Sequence, residues 1–200
     1  SKDEWFKQLS KFRKDRLDFF TIYDNKESLL TKDGLTYYKG MKHNEPSILS
    51  FDIEANGLYH TPDSKVLLIS NTFRKNGIVT RKLFSYTDYS SDQEFIDNWC
   101  NWVREMNPSI ICGHNIYSYD LPYLLHFAEL NGTTLRLGRN NSPIKINSKA
   151  SKFRVDGSRD QEYYKVRVYG RELIDTMFLA IKYDTATKKY DSYGLKNIIK

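Results

Sequence analysis

The residues best equipped for chemistry in this 200-residue chain are carboxylates. Asp52-Ile53-Glu54 lies at the end of an apolar run, Ser47 to Ile53. On a strand, residues two apart share a face, so both acids project together while Phe51 and Ile53 turn into packing. Two carboxylates side by side repel each other unless a cation sits between them. A donor set made only of oxygen favours Mg²⁺ or Mn²⁺ over zinc. The triplet alone is weak, because Asp-x-Glu also occurs at Asp92/Glu94 and Asp160/Glu162. Asp92/Glu94 opens a helix, where acids offset the dipole. Asp160/Glu162 lies in a polar loop. Only Asp52/Glu54 is embedded in an apolar strand, where a bare acid pair is costly. A second constellation runs from Gly113 to Tyr123, Gly-His-Asn-Ile-Tyr-Ser-Tyr-Asp-Leu-Pro-Tyr. Taken alone, Asp120 with Pro122 behind it reads as a helix N-cap, and Asn115 as a turn residue.

These residues need elements to hold them. Residues 47–53 read as a buried strand broken by Asn56-Gly57. Residues 66–73 and 78–84 read as two strands of a hairpin turning at Lys75-Asn76-Gly77. Asp92 to Met106 is an amphipathic helix with Ser91 or Asp92 as its cap, stopped by Asn107-Pro108. Ser109 to Cys112 is a short strand, and Leu121 to Leu130 a helix ending at Asn131-Gly132. A strand pair is expected around Asp156-Gly157, and Ile174 to Tyr183 reads as a helix. Ahead of all this, residues 1–45 are polar and charged. They hold a loose helical spacing over 4–20 and a short strand at 36–38. The order predicts a mixed α/β layered domain at 46–200 behind an N-terminal extension.

Composition sets the outer bounds. Hydrophobic content of 40% and charged content of 28% suit a buried core and exclude disorder and low complexity. No apolar run is long enough to span a membrane, and no secretory signal opens the chain. Two cysteines, Cys100 and Cys112, exclude a disulfide framework and read as small core residues in a reducing, intracellular setting. His43, His60, His114 and His126 lack paired metal-ligand spacing and read as surface or hydrogen-bonding residues. Trp5, Trp99 and Trp102 read as packing residues. No phosphate-binding Gly-rich loop and no nucleophile elbow is present. Net charge is +6, and residues 145–171 carry eight basic side chains against three acidic ones. Interleaved with Phe153, Tyr163, Tyr164 and Tyr169, that stretch suits a polyanion with stackable bases, though taken alone it reads first as an ordinary solvated hairpin.

Phe51 to Leu58, Phe-Asp-Ile-Glu-Ala-Asn-Gly-Leu, resembles the first exonuclease motif of family B DNA polymerases, and Gly113 to Tyr123 resembles the second. Gly170 to Asp175 and Tyr190 to Lys200 resemble the segments that follow, so the likeness covers 46–200. It implies an RNase H-like mixed sheet flanked by helices. The implied activity is 3′–5′ proofreading, which hydrolyses the terminal phosphodiester of DNA and releases 5′-mononucleotides. The family's site holds two divalent metals, Mg²⁺ or Mn²⁺, on four carboxylates with a tyrosine nearby. Carried over, Asp52 would bridge both ions, Glu54 would bind the ion that carries the nucleophile, and Asp120 would hold the other. Asn115 and Tyr123 would position the terminal nucleotide, and Leu58 would wedge at the terminal base. Tyr119, Lys152, Arg154, Lys165 and Arg167 complete the expected nucleic-acid contacts. Expected partners are a single-stranded 3′ end or primer-template DNA and the rest of a polymerase chain. A monomer is expected, without membrane, in the cytoplasm, nucleoid or a viral replication site.

The family's third motif, Tyr-x-x-x-Asp, has no match after Asp120; Tyr59 and Asp63 have the spacing but fall in a loop beside the first motif. Asp175 reads as a helix cap rather than as the fourth ligand. The expectation is a fragment of a polymerase that stops before its third motif, with weak or no activity alone. The polymerase signatures are also absent. Two alternatives stand beside this reading: a stand-alone exonuclease of the same superfamily acting on DNA or RNA, and a nucleic-acid-binding module without catalysis.

Overall fold

The computed structural model describes residues 2–15, 25–35, 40–42, 45–156 and 159–199. The chain forms two units, Ser1–Lys42 and His43–Lys200. The first contains helices α1 (Lys2–Lys14) and α2 (Asn25–Lys32). Acids open α1 and bases close it, complementing the helix dipole. Leu9 is buried, and Trp5 and Phe6 meet edge-on at 4.9 Å. The helix expected over 4–20 ends at Lys14, and the rest of that span, like the strand expected at 36–38, lies largely or wholly outside the described residues. Helix α2 was not expected, because Asn-Lys-Glu-Ser-Leu-Leu-Thr-Lys has too few apolar positions to show a period.

The second unit is built on five strands: β1 (Ile48–Ala55), β2 (Val66–Lys75), β3 (Ile78–Ser85), then β4 (Ile110–Gly113), and a fifth near the C-terminal end of the unit. Between them lie α3 (Asp92–Met106) and α4 (Asp120–Leu130), then the short strands β5 (Lys145–Ile146), β6 (Ser151–Arg154), β7 (Asp160–Tyr163) and β8 (Val166–Arg167). The fifth strand is β9 (Glu172–Asp175), followed by α5 (Thr176–Thr187) and α6 (Leu195–Ile198). The main sheet runs β3-β2-β1-β4-β9. The β1/β2 and β2/β3 pairs are antiparallel, whereas β1/β4 and β4/β9 are parallel. This is the mixed, helix-flanked RNase H-like sheet. The β2–β3 turn has Asn76 at φ 51° and Gly77 at φ 79°, the paired positive angles that match the twist of a tight hairpin. No helix among the described residues is long and apolar enough to cross a membrane.

Packing follows the strand alternation. Leu49, Phe51 and Ile53 of β1 are buried, and Asp52 and Glu54 face outward. Helix α3 starts where Ser91 Oγ accepts the Glu94 amide at 3.1 Å, and Trp99 lies 5.5 Å from the Phe51 ring. Trp99 Nε1 donates to Asn71 Oδ1 at 3.0 Å, while Asn71 Nδ2 donates to the carbonyls of Ile69 and Lys82. A polar side chain thus crosses the core with its bonds made.

Two expectations change here. Residues 174–183 do not form one helix: Ile174 pairs with Cys112 in the sheet, and the helix begins at Thr176. Asp175-Thr176 interrupts the apolar run at that boundary, and Asp175 caps the helix by accepting the Met177 amide, so cap chemistry marks the start that apolar spacing alone does not. Asp120 is not an N-cap: Tyr119 holds the cap position, and Asp120 is the first residue of α4.

Gly113 ends β4 where a side chain has no room. A Cβ there would sit 2.7 Å from the Phe51 carbonyl oxygen and would collide with the Ile116 side chain. Gly113→Ala is therefore expected to cost about 2–3 kcal/mol in urea unfolding. Gly57→Ala, at a position facing open space, should change stability by under ~0.5 kcal/mol.

Candidate active site

The parallel strands share one carboxyl-terminal edge. Ser50 is level with Cys112, and Gly113 is level with Asp175, so Asp52 lies just past that line on β1. Ligand sites of open α/β sheets form at such an edge. The chain leaves β4 at Gly113 and turns at Asn115, whose φ of 66° is one that asparagine tolerates. Asp175 anchors this turn. Its Oδ1 accepts the Asn115 amide at 2.8 Å and the Met177 amide at 3.0 Å, and its Oδ2 accepts the Tyr117 amide at 3.2 Å. The Tyr117 hydroxyl donates to the Leu173 carbonyl at 3.0 Å. His114 Nε2 lies 2.6 Å from the Tyr193 carbonyl oxygen and its Nδ1 lies 3.1 Å from Thr176 Oγ1, tying the segment before α6 to the same turn.

This scaffold delivers Asp120. The residue is 2% exposed, and its Oδ1 accepts the Ile53 amide at 3.3 Å. Ile53 stands between Asp52 and Glu54, so the bond sets the buried acid against the exposed pair. Burial, and then the charge of Asp52, pushes the Asp120 carboxyl up to about 7. Asp52 is raised too, by burial and then by Glu54, with His114 opposing. Burial and the mutual repulsion of neighbouring acids act in the same direction at both groups. Among the described residues no three His, Cys, Asp or Glu side chains stand close enough to hold a metal ion as they are oriented. The donor chemistry nevertheless fits a hard divalent ion, whose charge would relieve that repulsion. Asp52 and Glu54 are on the exposed face of β1, where they are free to rotate toward one. Asp175 is spoken for by its three amides, as a helix cap and more than a helix cap.

Tyr119 is next to the acids: burial, then Tyr123, Asp120, Glu54 and Asp52, raise its phenol, and its hydroxyl donates to the Gly57 carbonyl at 2.9 Å. Tyr123 does not line the site. It is wholly buried, and its hydroxyl donates to Asn56 Oδ1 at 3.0 Å. Asn56 in turn accepts the Lys65 amide and donates to the Asp63 carbonyl, both at 2.8 Å. Tyr123 thus supports the loop that carries Leu58, which is 74% exposed. Tyr59 and Asp63 belong to this loop. His60 and His126 stack at 4.9 Å, and His126 Nε2 lies 2.9 Å from the Thr61 carbonyl oxygen. His43 lies outside the described residues.

The basic stretch forms hairpin β6–β7 and the β5–β8 pair. Phe153 stacks on Phe178 at 4.4 Å, and Tyr163 meets Tyr117 at 5.2 Å, so the hairpin packs against α5 and the Asn115 turn. Lys152, Arg154 and Arg167 are exposed and Lys165 is half-buried. Arg154 pairs with Asp160 at 2.7 Å. Gly113 and Tyr117 are the structural members of the site that residue types alone did not single out. Asp175 has a local signal for its cap, but none for amides some sixty residues earlier in the chain.

Asp120 and Asp52 bind protons more tightly folded than unfolded. The stability this confers is complete below about pH 4 and is lost as pH rises through 7. In chelator, the melting temperature of the chain should therefore fall from pH 5 to pH 8. Asp120→Asn should flatten that dependence, because its side chain cannot ionise. An unchanged slope in the variant would remove Asp120 as its source.

The family model for DNA polymerase family B, exonuclease domain, matches residues 22–198. A DNA polymerase delta catalytic subunit from Glycine max is 30% identical over 173 residues, covering 76% of this chain and 15% of its own length. A DNA polymerase from Pyrococcus glycovorans is 34% identical over 110 residues, covering 51% of this chain and 14% of its own. The solved family B DNA polymerase of Pyrobaculum calidifontis aligns with 65% of this chain and 15% of its own, at 23% identity and TM-score 0.49. The chain spans about 15% of the length of the curated relatives it matches first. With a family match that runs from before the first strand to the last helix, this chain belongs to the exonuclease domain family of the family B DNA polymerases.

Proposed function

We propose that Asp52, Glu54 and Asp120 hold divalent metal, Mg²⁺ or Mn²⁺, and that the chain serves the 3′–5′ exonuclease of a polymerase. The observation that carries this reading is the buried Asp120, bonded to the Ile53 amide and raised first by its burial and then by the neighbouring Asp52. Three acids from two distant segments have been folded together at a cost that a cation would offset. Bound metal would supply Lewis-acid charge at the scissile phosphate and a water of lowered pKa. The protein's part is positional. Asp120 is held rigidly by the Ile53 amide, while Asp52 and Glu54 can adjust from an exposed strand face. Tyr119, which lies beside the acids, would seat the terminal nucleotide together with Leu58 and Asn115. Lys152, Arg154, Lys165 and Arg167 would follow the strand behind it, where phosphate contacts give orientation without reading sequence. The DNA 3′ end, the remainder of a polymerase chain and an intracellular site of replication belong to this proposal, as does residues 1–45 being part of the polymerase's N-terminal region.

The test is release of mononucleotides from 5′-labelled single-stranded DNA with Mg²⁺ or Mn²⁺. It should be run on this chain, on the same sequence within a polymerase-length protein, and on Asp52→Ala, Glu54→Ala in both. In the longer protein the double substitution should slow release by about 100-fold or more, the size expected when several kcal/mol of metal-borne charge stabilisation is lost. Equal rates with and without the two acids would sink the assignment. DNA binding with no release in any form would favour a binding module. In parallel, Mn²⁺ should raise the melting temperature of the chain at pH 8 and leave Asp52→Asn, Asp120→Asn unmoved.

A further inference from the structure

The parallel strands have a second end, and its charge is opposite. Arg171 enters β9 there, beside Asn107-Pro108-Ser109 at the entry to β4. Arg171 is 7% exposed. Its Nε donates to the Leu137 carbonyl at 2.8 Å, and its Nη1 donates to the Pro108 carbonyl at 2.5 Å and to Asn107 Oδ1 at 3.1 Å. Arg139 Nη2 reaches the same Pro108 oxygen at 3.5 Å and Ser109 Oγ at 3.3 Å. Two guanidinium groups therefore converge on one carbonyl oxygen. Gly170 makes this possible: at φ 71° it carries no Cβ, which would lie 2.9–3.3 Å from the Arg139 side chain.

A buried cation normally has an acid beside it. Here the described ion pairs are Lys65–Asp92, Arg154–Asp160 and Arg159–Asp156, and none includes these arginines. Among the acids of the adjoining segments, Glu172 and Glu105 are exposed, and Asp97 accepts a bond from Thr133 Oγ1. Instead the closest charges are more arginines. Burial, then Arg139 and Arg104, lowers Arg171 to about 10, which leaves it charged at neutral pH. Arg104 also lines a cleft of about 370 Å³ together with Asp97, Thr133, Arg136 and Asn141. Finally, Arg171 Nη2 is buried and has no hydrogen-bond partner. A guanidinium whose Nε–H and Nη1–H groups are bonded and whose two Nη2–H groups are left over, facing a second guanidinium and, among the described residues, no ion-paired carboxylate, lacks an oxyanion.

We propose that this end of the sheet is a phosphate-binding site, with the anion bridging Arg139 and Arg171 and accepting the free Nη2–H of Arg171. Planar forks suit tetrahedral oxyanions because two N–H groups can bond two oxygens at once. The site is separate from the carboxylates, since the strand between them is four residues long, roughly 13 Å. The phosphate can come from free anion or from a nucleic-acid backbone.

The experiment titrates the isotopically labelled chain with inorganic phosphate while following the Arg side-chain Nε–Hε resonances by NMR, against sodium chloride at matched ionic strength. Phosphate should shift the Arg171 and Arg139 signals saturably, and chloride should not. Arg139→Gln, at an exposed position that does not threaten folding, should weaken phosphate about tenfold or more. Arg171→Lys, which keeps the charge but loses the fork, should also weaken it. Asp52→Asn, Glu54→Gln should titrate like the parent, so failure here and failure of the metal site are distinguishable. A short oligothymidylate without terminal phosphate separates the sources: competition with phosphate at these resonances assigns the backbone, and a response to phosphate alone assigns the free anion. Unsaturable shifts, equal shifts with chloride, or no loss in Arg139→Gln would overturn the proposal and leave Nη2 simply hydrated.

Discussion

An acid buried beside another acid is the constraint around which this fold is arranged. Asp120 gives up nearly all contact with water and accepts an amide from the strand that carries Asp52 and Glu54. Left to itself, such a side chain turns outward or takes up a proton. Holding it inward needs a backbone that has no freedom to release it. That rigidity comes from Asp175, which collects amides on both sides of the Asn115 turn, and from Gly113, where the β4 backbone lies too close to Phe51 for any side chain.

The supports are layered. Behind the turn, Tyr117 bonds to Leu173 and packs with Tyr163 and Phe178, so the basic hairpin is fastened to the elements that hold the acids. Behind the Leu58 loop, buried Tyr123 holds Asn56, which closes the loop through its own bonds to Lys65 and Asp63. Few of these supporting groups need exposure. Their effect is to fix rotamers and turns, so that the exposed acids and the loop tip are presented from a rigid base.

The sheet is also electrically polar along its parallel strands. Carboxylates gather past the carboxyl ends, and Arg139 and Arg171 gather at the amino ends around Pro108. Among the described residues neither group has an ion-pair partner of opposite charge. A charge arrangement that protein groups leave uncompensated at both ends is costly to stability, and such costs are commonly retained where ligands supply the missing charge.

Much of this was legible in the residues. The alternation around Asp52 and Glu54 specified which face they share, because strand geometry has period two. The Asn76-Gly77 turn and the Ser91-capped helix were readable because turn and cap chemistry is local. The strand at Glu172–Asp175 is not legible because four residues, Glu-Leu-Ile-Asp, are too few to show a period before the helix begins. The sequence by itself determined the acids, their order and the strand and turn that present the first pair, since these depend on neighbours a few residues away. Only the tertiary structure decided that Asp120 begins a helix instead of capping it, that Tyr123 supports instead of contacting, and that Asp175 and Arg171 tie together segments some sixty residues apart. Those roles are set by which strands lie side by side, and parallel pairing joins residues that no local pattern relates.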